Sequence, residues 1–208
     1  MRCFLSLVLA LGLLAGPGIA DPAPVADSST YGVDNANSSM TVYGSSNVRD
    51  WTMDVAQING AVVLGDASAS LPSIQEVQVE VPVEQMVSDK DRLQRHAHEA
   101  LHKEEYPTIS FAASDVEVAE AETDSFSVVA NGELTIKGNT HAVTLSAKGA
   151  QQSNGTIHIR GEHRLTLSTY EVERPSLMFG AIKVTDPVRV GFDVILTPQG
   201  QQTASETD

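Results

Sequence analysis

Apolar and polar residues alternate with a period of two along most of residues 40–197. That period marks strands with one buried and one wet face. The clearest run is Glu76 to Val83, where Val77, Val79, Val81 and Val83 share one face and Glu76, Gln78 and Glu80 the other. Val188 to Leu196 repeats it with Val188, Val190, Phe192, Val194 and Leu196 in one row, and Leu134 and Ile136 oppose Glu133, Thr135 and Lys137. Further strands are expected over Met40–Tyr43, Val48–Val55, Ala61–Ala69, Thr108–Val118, Ser125–Lys137, Ala142–Gly149 and Thr156–Ser168. Gly138-Asn139 is expected to take positive φ and close a tight turn between two of them. About nine short strands at near-even spacing predict an all-β sandwich or barrel.

One stretch follows a different period. Between Ser88 and Glu105, Leu93, Ala97, Ala100 and Leu101 recur at helical spacing, while the opposite face carries Lys, Arg, Glu and His. Ser88 is the expected N-cap, Asp89 and Asp91 suit the first turn, and Pro107 stops the helix. An amphipathic helix inserted between two strands is predicted to lie across the end or side of a barrel.

Composition changes the picture at the two ends. Arg2 precedes an apolar run from Phe4 to Ala15 and then Gly-Pro-Gly-Ile-Ala, which reads as a signal peptide cut after Ala20. The run is shorter than the ~20 residues of a spanning helix, so stable membrane insertion is not expected. The expected location is periplasmic or secreted. The single Cys3 lies ahead of the apolar run and would leave with it, so no disulfide or thiolate chemistry is expected. Residues 21–40 read as a flexible leader rich in Pro, Ser and Asn, and residues 198–208 as a polar tail. A single domain is expected over residues 41–197. The net charge of −14, one unit more negative without Arg2, argues against nucleic acid and against docking on anionic lipid headgroups. Any lipid affinity is expected from an apolar cavity and not from a basic patch.

Several segments in order carry a family resemblance. They are Gly44-Ser45-Ser46-Asn47-Val48-Arg49-Asp50-Trp51; the helix with Arg92 and Leu93; Tyr106-Pro107-Thr108-Ile109-Ser110-Phe111; Gly132-x-Leu134-Thr135-Ile136-x-Gly138-x-Thr140 with Val143-x-Leu145; and Pro175-Ser176-Leu177-Met178-Phe179-Gly180-Ala181-Ile182-Lys183-Val184-x-Asp186-x-Val188. Together they resemble the YceI-like family over residues 41–197. The closing segment departs from the better-known branch, which places an Arg before an Asp-Phe-Gly-like turn where this chain has Leu177-Met178-Phe179-Gly180. The resemblance implies an extended, lipocalin-like antiparallel β-barrel of about eight strands, with the helix inserted. It also implies an exported protein that holds a long isoprenoid chain, a quinone or a similar lipid in an apolar tunnel, with no cofactor. A barrel of about eight strands has room for side chains or for one slim ligand, and the 5% aromatic content makes a filled interior harder to build.

By alternation, the candidates for a tunnel wall are Trp51, Met53, Val79, Val81, Ile109, Phe111, Phe126, Val128, Leu134, Ile136, Val143, Leu145, Leu165, Leu167, Phe179, Phe192 and Val194. An ordinary packed core uses the same residue types. Tyr106 is expected to pack the helix end onto the barrel. His98 and His102, four apart on the predicted helix, could reach one Zn²⁺ or Cu²⁺ with Glu99 or Glu105 as a third ligand; His96, His141, His158 and His163 are solvated or structural. Glu117, Glu120, Glu122 and Asp124 read as an acidic hairpin loop. No hydrolase, zincin, phosphate-loop or dinucleotide motif occurs, so an enzyme is not expected. Two alternatives stand beside the lipid reading: a periplasmic metal-binding protein using His98 and His102, and a ligand-free structural or interaction module, dimerising through an exposed edge.

Overall fold

The computed structural model describes residues 28–65, 71–121, 125–174, 176–177 and 182–199. Its strands are β1 (Ser29–Val33), β2 (Ser39–Ser45), β3 (Asp50–Val55), β4 (Asn59–Leu64), β5 (Ile74–Pro82), β6 (Met86–Val87), β7 (Thr108–Glu120), β8 (Phe126–Ile136), β9 (Asn139–Gln151), β10 (Ile157–Thr166), β11 (Ser176–Leu177), β12 (Ile182–Lys183) and β13 (Pro187–Pro198). One helix, α1 (Asp91–Ala100), lies between β6 and β7. All pairing in the main sheet is antiparallel, and β1 closes the ring by pairing with both β4 and β13.

The register resolves these strands into eight long staves. β1 and β2 lie on the same edge of β13, with Val33 opposite Leu196 and Val42 opposite Val190. They also share a partner hairpin, since Gly32 pairs with Ala61 of β4 and Thr41 with Asp54 of β3. β5 and β6 continue the same relation, with Asn59 opposite Glu80 and Asp54 opposite Val87. The chain is therefore an up-and-down meander whose first three staves are each interrupted once. Asn35 fastens two interruptions together: its side-chain amide donates to the Ile58 carbonyl at 2.9 Å and its oxygen accepts from the Ile58 amide at 2.7 Å. Full closure removes the sheet edges that would otherwise template aggregation.

Four expectations are corrected. The predicted leader does not extend to residue 40, because β1 and the start of β2 lie in it. Its polar composition hid a short inward row in which Tyr31 is 5% exposed, and β13 needs this partner to close the barrel. The helix is shorter than Ser88–Glu105: Lys90 is its N-cap with no side-chain cap bond, and Ser88 instead accepts from the Lys90 amide. Its C-terminus forms a Schellman closure, with His102 at φ 50, the His102 amide on the Glu99 carbonyl and the Lys103 amide on the His98 carbonyl. The β8–β9 turn is Lys137-Gly138, at φ 51 and 73, with Asn139 already paired to Ile136; two consecutive positive φ values are what a two-residue hairpin needs to match strand twist. Glu117 and Glu120 belong to β7 and pair across to Val129 and Phe126, while Glu122 and Asp124 lie outside the described residues.

Packing differs at the two ends of the barrel. At one end Tyr31, Val62, Leu64, Phe126, Ile157 and Leu196 form a closed cluster, each no more than 7% exposed. At the other, Leu93, Ala97 and Ala100 of α1 pack on a cluster that includes Met53, Val81, Met86, Leu101 and Tyr170. Tyr106 covers Gly138 and stacks near His102, so it joins the end of the helical segment to the β8–β9 turn as expected.

Candidate ligand cavity

A cavity of about 480 Å³ occupies the barrel. Its wall is the inward row of each stave, and alternation explains its composition. On β5 the row is Val77, Val79 and Val81; on β13 it is Val188, Val190, Phe192, Val194 and Leu196. The outward rows carry the charge: Arg160 donates from Nε and Nη2 to Asp193 at 2.8 and 2.6 Å, and His158 hydrogen-bonds the same carboxylate.

Large rings would fill so narrow a barrel if they pointed at its axis. They lie along the wall instead, because glycines face them. Phe126 pairs with Gly149, and a Cβ on that glycine would sit 2.1 Å from the Phe126 ring. Phe192 pairs with Gly161 and Trp51 with Gly44 in the same way, with distances of 2.5 and 2.0 Å. Each glycine vacates the space into which its neighbour's ring folds, so three aromatic side chains contribute apolar wall and leave the centre open. The same close approach accounts for glycine inside strands, where it otherwise weakens packing.

All but two of the seventeen candidate wall residues line this cavity. Val143 does not; it packs with the Phe111, Ala113 and Ala130 cluster. Phe179 lies outside the described residues. Other lining residues were missed, among them Val33, because it fell in the presumed leader; Met40, which stood where leader and first expected strand meet; Leu93 and Ala97, because a helix face was not read as part of the wall; and His163. The parity of β10 holds the signal for His163, which shares a strand face with the lining residues Ile157, Ile159 and Leu165. Burial depresses its imidazole pKa, so the neutral ring is favoured in this apolar surrounding.

The lining is not uniform in charge. Its formally charged members among the described residues are Arg49, Asp50, Lys90, Arg92 and Glu173. Arg49 sits on the β2–β3 turn and Asp50 begins β3, Lys90 and Arg92 lie at the start of α1, and Glu173 is in the segment after β10. All are at the helix end of the barrel, which is the mouth. Trp51 is next to them, its indole N–H donating to the Ser45 carbonyl at 3.3 Å.

The histidine pair does not form a metal site. His98 Nε2 donates to the Met86 carbonyl at 2.9 Å, fixing the helix to β6, whereas His102 has left the helix and sits 3.8 Å from Glu105. The four-residue spacing holds both rings on one face only while the helix continues, and it ends at Ala100. No group of three or more potential ligands is positioned for a metal among the described residues.

A closed antiparallel barrel of eight staves around an apolar cavity, with one helix across its mouth, defines a lipocalin-like class of β-barrel. Within that class the chain belongs to the YceI-like family: the YceI-like domain model matches residues 31–196, well over half of the sequence. No curated protein matches it. Among solved structures it is similar to Burkholderia cenocepacia BcnA (21% identity, TM-score 0.63, covering 79% of this chain and 99% of that one). It is also similar to a polyisoprenoid binding domain from Saccharophagus degradans implicated in plant cell wall breakdown (14%, TM-score 0.63, 81% and 98%). A Campylobacter jejuni YceI protein matches at 13% identity with TM-score 0.51, over 70% and 82%. At these identities the structural likenesses speak for the fold.

Proposed function

We propose that this protein is an exported lipid-binding protein that holds one long apolar chain, a polyisoprenoid, an isoprenoid quinone or a similar amphiphile, for carriage or storage in the cell envelope. The observation that carries the reading is the cavity: about 480 Å³, walled by aliphatic rows, kept open by the glycines that face Phe126 and Phe192. Allowing the ~30 Å³ that a water-sized group occupies in a liquid, it takes at least about sixteen heavy atoms, the size of farnesol, and a longer chain would extend through the mouth. Each buried methylene contributes ~0.8 kcal/mol, so a chain binds without a polar anchor. The polyisoprenoid description of the Saccharophagus degradans domain supports the ligand class, and the signal-like residues 1–20 support export.

Organic extraction of the protein purified from its native envelope, followed by mass spectrometry, tests the reading. A stoichiometric prenyl or other long-chain lipid is expected. Protein free of lipid that also fails to bind farnesol would remove it.

A further inference from the structure

We propose that Arg49, Lys90 and Arg92 at the cavity mouth bind the anionic headgroup, a phosphate or carboxylate, of an amphiphile whose chain lies in the barrel. The inference rests on the chain-holding reading above and adds the chemical class of the ligand's polar end.

The first observation is where the charge lies. The protein has 13 Lys and Arg against 27 Asp and Glu, so charged side chains taken at random would be acidic two times in three. Around the cavity the balance is reversed, with three cations and two acids, Asp50 and Glu173. All five are at the mouth, and the lining of the closed far end carries no charge among the described residues. A ligand with one polar end therefore has one favourable orientation, tail inward and headgroup between the β2–β3 turn and the start of α1.

The second observation is that the two guanidinium groups are uncommitted. Of the other described arginines, Arg160 pairs with Asp193 and Arg189 with Glu162, whereas Arg95, Arg164 and Arg174 form no ion pair within 4 Å among the described residues but do not line the cavity. Arg49 and Arg92 form no ion pair within 4 Å among the described residues, although Asp50 is adjacent in sequence. Lys90 approaches only Asp89, at 4.0 Å, with both side chains more than half exposed. His96 also lines the mouth but is engaged with Glu99 at 3.1 Å. A guanidinium presents paired donors that match two oxygens of a phosphate or carboxylate, and cations beside low-dielectric walls act more strongly on an anion than the same cations on open surface. Asp50 and Glu173 hold the net charge of the mouth to a single positive unit, so an anion without a chain gains little there. Affinity comes from the chain and selection from the headgroup.

The test compares ligands with one tail and two heads, farnesyl phosphate and farnesol, titrated against the full protein with Trp51, its single tryptophan and a cavity residue, as the fluorescent reporter. Farnesyl phosphate is expected to bind at least tenfold more tightly than farnesol. In the double variant Arg49→Gln/Arg92→Gln the ratio is expected to fall to about two or less, through weaker binding of farnesyl phosphate. Lys148→Gln, which removes the same kind of charge from an exposed β9 position outside the lining, is expected to retain the full ratio, separating the mouth from overall charge. Inorganic phosphate at millimolar concentration is expected to leave farnesyl phosphate bound. Equal affinity of the two ligands for the wild type, or a ratio insensitive to the double variant, would overturn the headgroup assignment alone. Displacement by inorganic phosphate would overturn it in favour of a free-anion site. Failure of both ligands to bind would overturn the chain-holding reading with it.

Discussion

Ala147→Phe asks whether the barrel is hollow. Ala147 lines the cavity, packs against the closed-end cluster, and its neighbours across the sheet are Val128 and Gly161, so the new ring enters from the wall toward that end. It adds six carbon atoms, which displace about as many ligand methylenes out of the roughly sixteen that fit. At ~0.8 kcal/mol each the loss has a ceiling of about 5 kcal/mol, or several thousandfold in Kd. A ligand that slides toward the mouth recovers part of this, so farnesol is expected to bind ten- to a thousandfold more weakly. Stability moves differently. In a filled core the same substitution would cost ~1–3 kcal/mol through overpacking, which for a domain of this size lowers Tm by ~2–12 °C. In a hollow barrel the ring only covers apolar wall, and Tm is expected to stay level or rise. Calorimetric titration with farnesol and a thermal melt, with Ser146→Phe on the outward face of the same strand as control, read both quantities. A Tm lowered by several degrees with unchanged farnesol affinity would show that the interior is packed and the reasoning wrong.

Gly149→Ala places a methyl 2.1 Å from the Phe126 ring and swings it toward the axis; a few degrees' loss in Tm and weaker farnesol binding are expected, and wild-type affinity would mean the ring does not guard the lumen. His163 carries a pKa depressed by burial, so below ~6.5 the unfolded chain takes up a proton that the folded state resists. Stability is therefore lost as pH falls through that range, and His163→Leu is expected to gain Tm relative to wild type at pH 5 compared with pH 7.5, an equal difference at both pH values speaking against it. The hydrogen bond from His158, and then those from Arg160, hold the Asp193 carboxyl below its usual range, so its stabilisation is present above ~3.9 and disappears as pH falls through the folded value. Asp193→Asn should accordingly melt below the wild type at pH 7, with the two curves converging below about pH 4; a gap independent of pH would contradict the assignment.

The strand rows and the helix were legible because alternation and helical spacing are local properties. Val77, Val79 and Val81 share a face wherever β5 is placed, and the amphipathic pattern of Leu93, Ala97 and Ala100 requires a sheet or core to cover it whatever its neighbours. The order of the segments around Trp51, Phe111 and Leu134 also carried the family. Boundaries were less legible where local chemistry misled: Ser88 looked like an N-cap but the helix starts after Lys90, and Tyr31 was concealed by the Pro- and Ser-rich residues before it. Glu117 and Glu120 read as loop because acids dominate there, although Glu117 lies on the outward row of β7 and Glu120 is exposed at the last residue of the strand.

What the sequence determined by itself was therefore the wall: which residues are apolar, on which parity, and that strands would be many, although several of them are longer than alternation suggested, 13 residues in β7 and β9. Tertiary structure decided that the wall encloses space and which end of it is charged. Phe126 meets Gly149, and Phe192 meets Gly161, only through registers set by closing the ring, and those meetings keep the rings flat and the centre open. Arg49 and Arg92 come to one mouth only because the β2–β3 turn and α1 lie at the same end of the barrel. A net charge of −14 pointed away from an anionic ligand, since a sum over the chain has no position. The fold gives each charge a place, and electrostatic attraction at a cavity mouth depends on the nearest charges more than on the total.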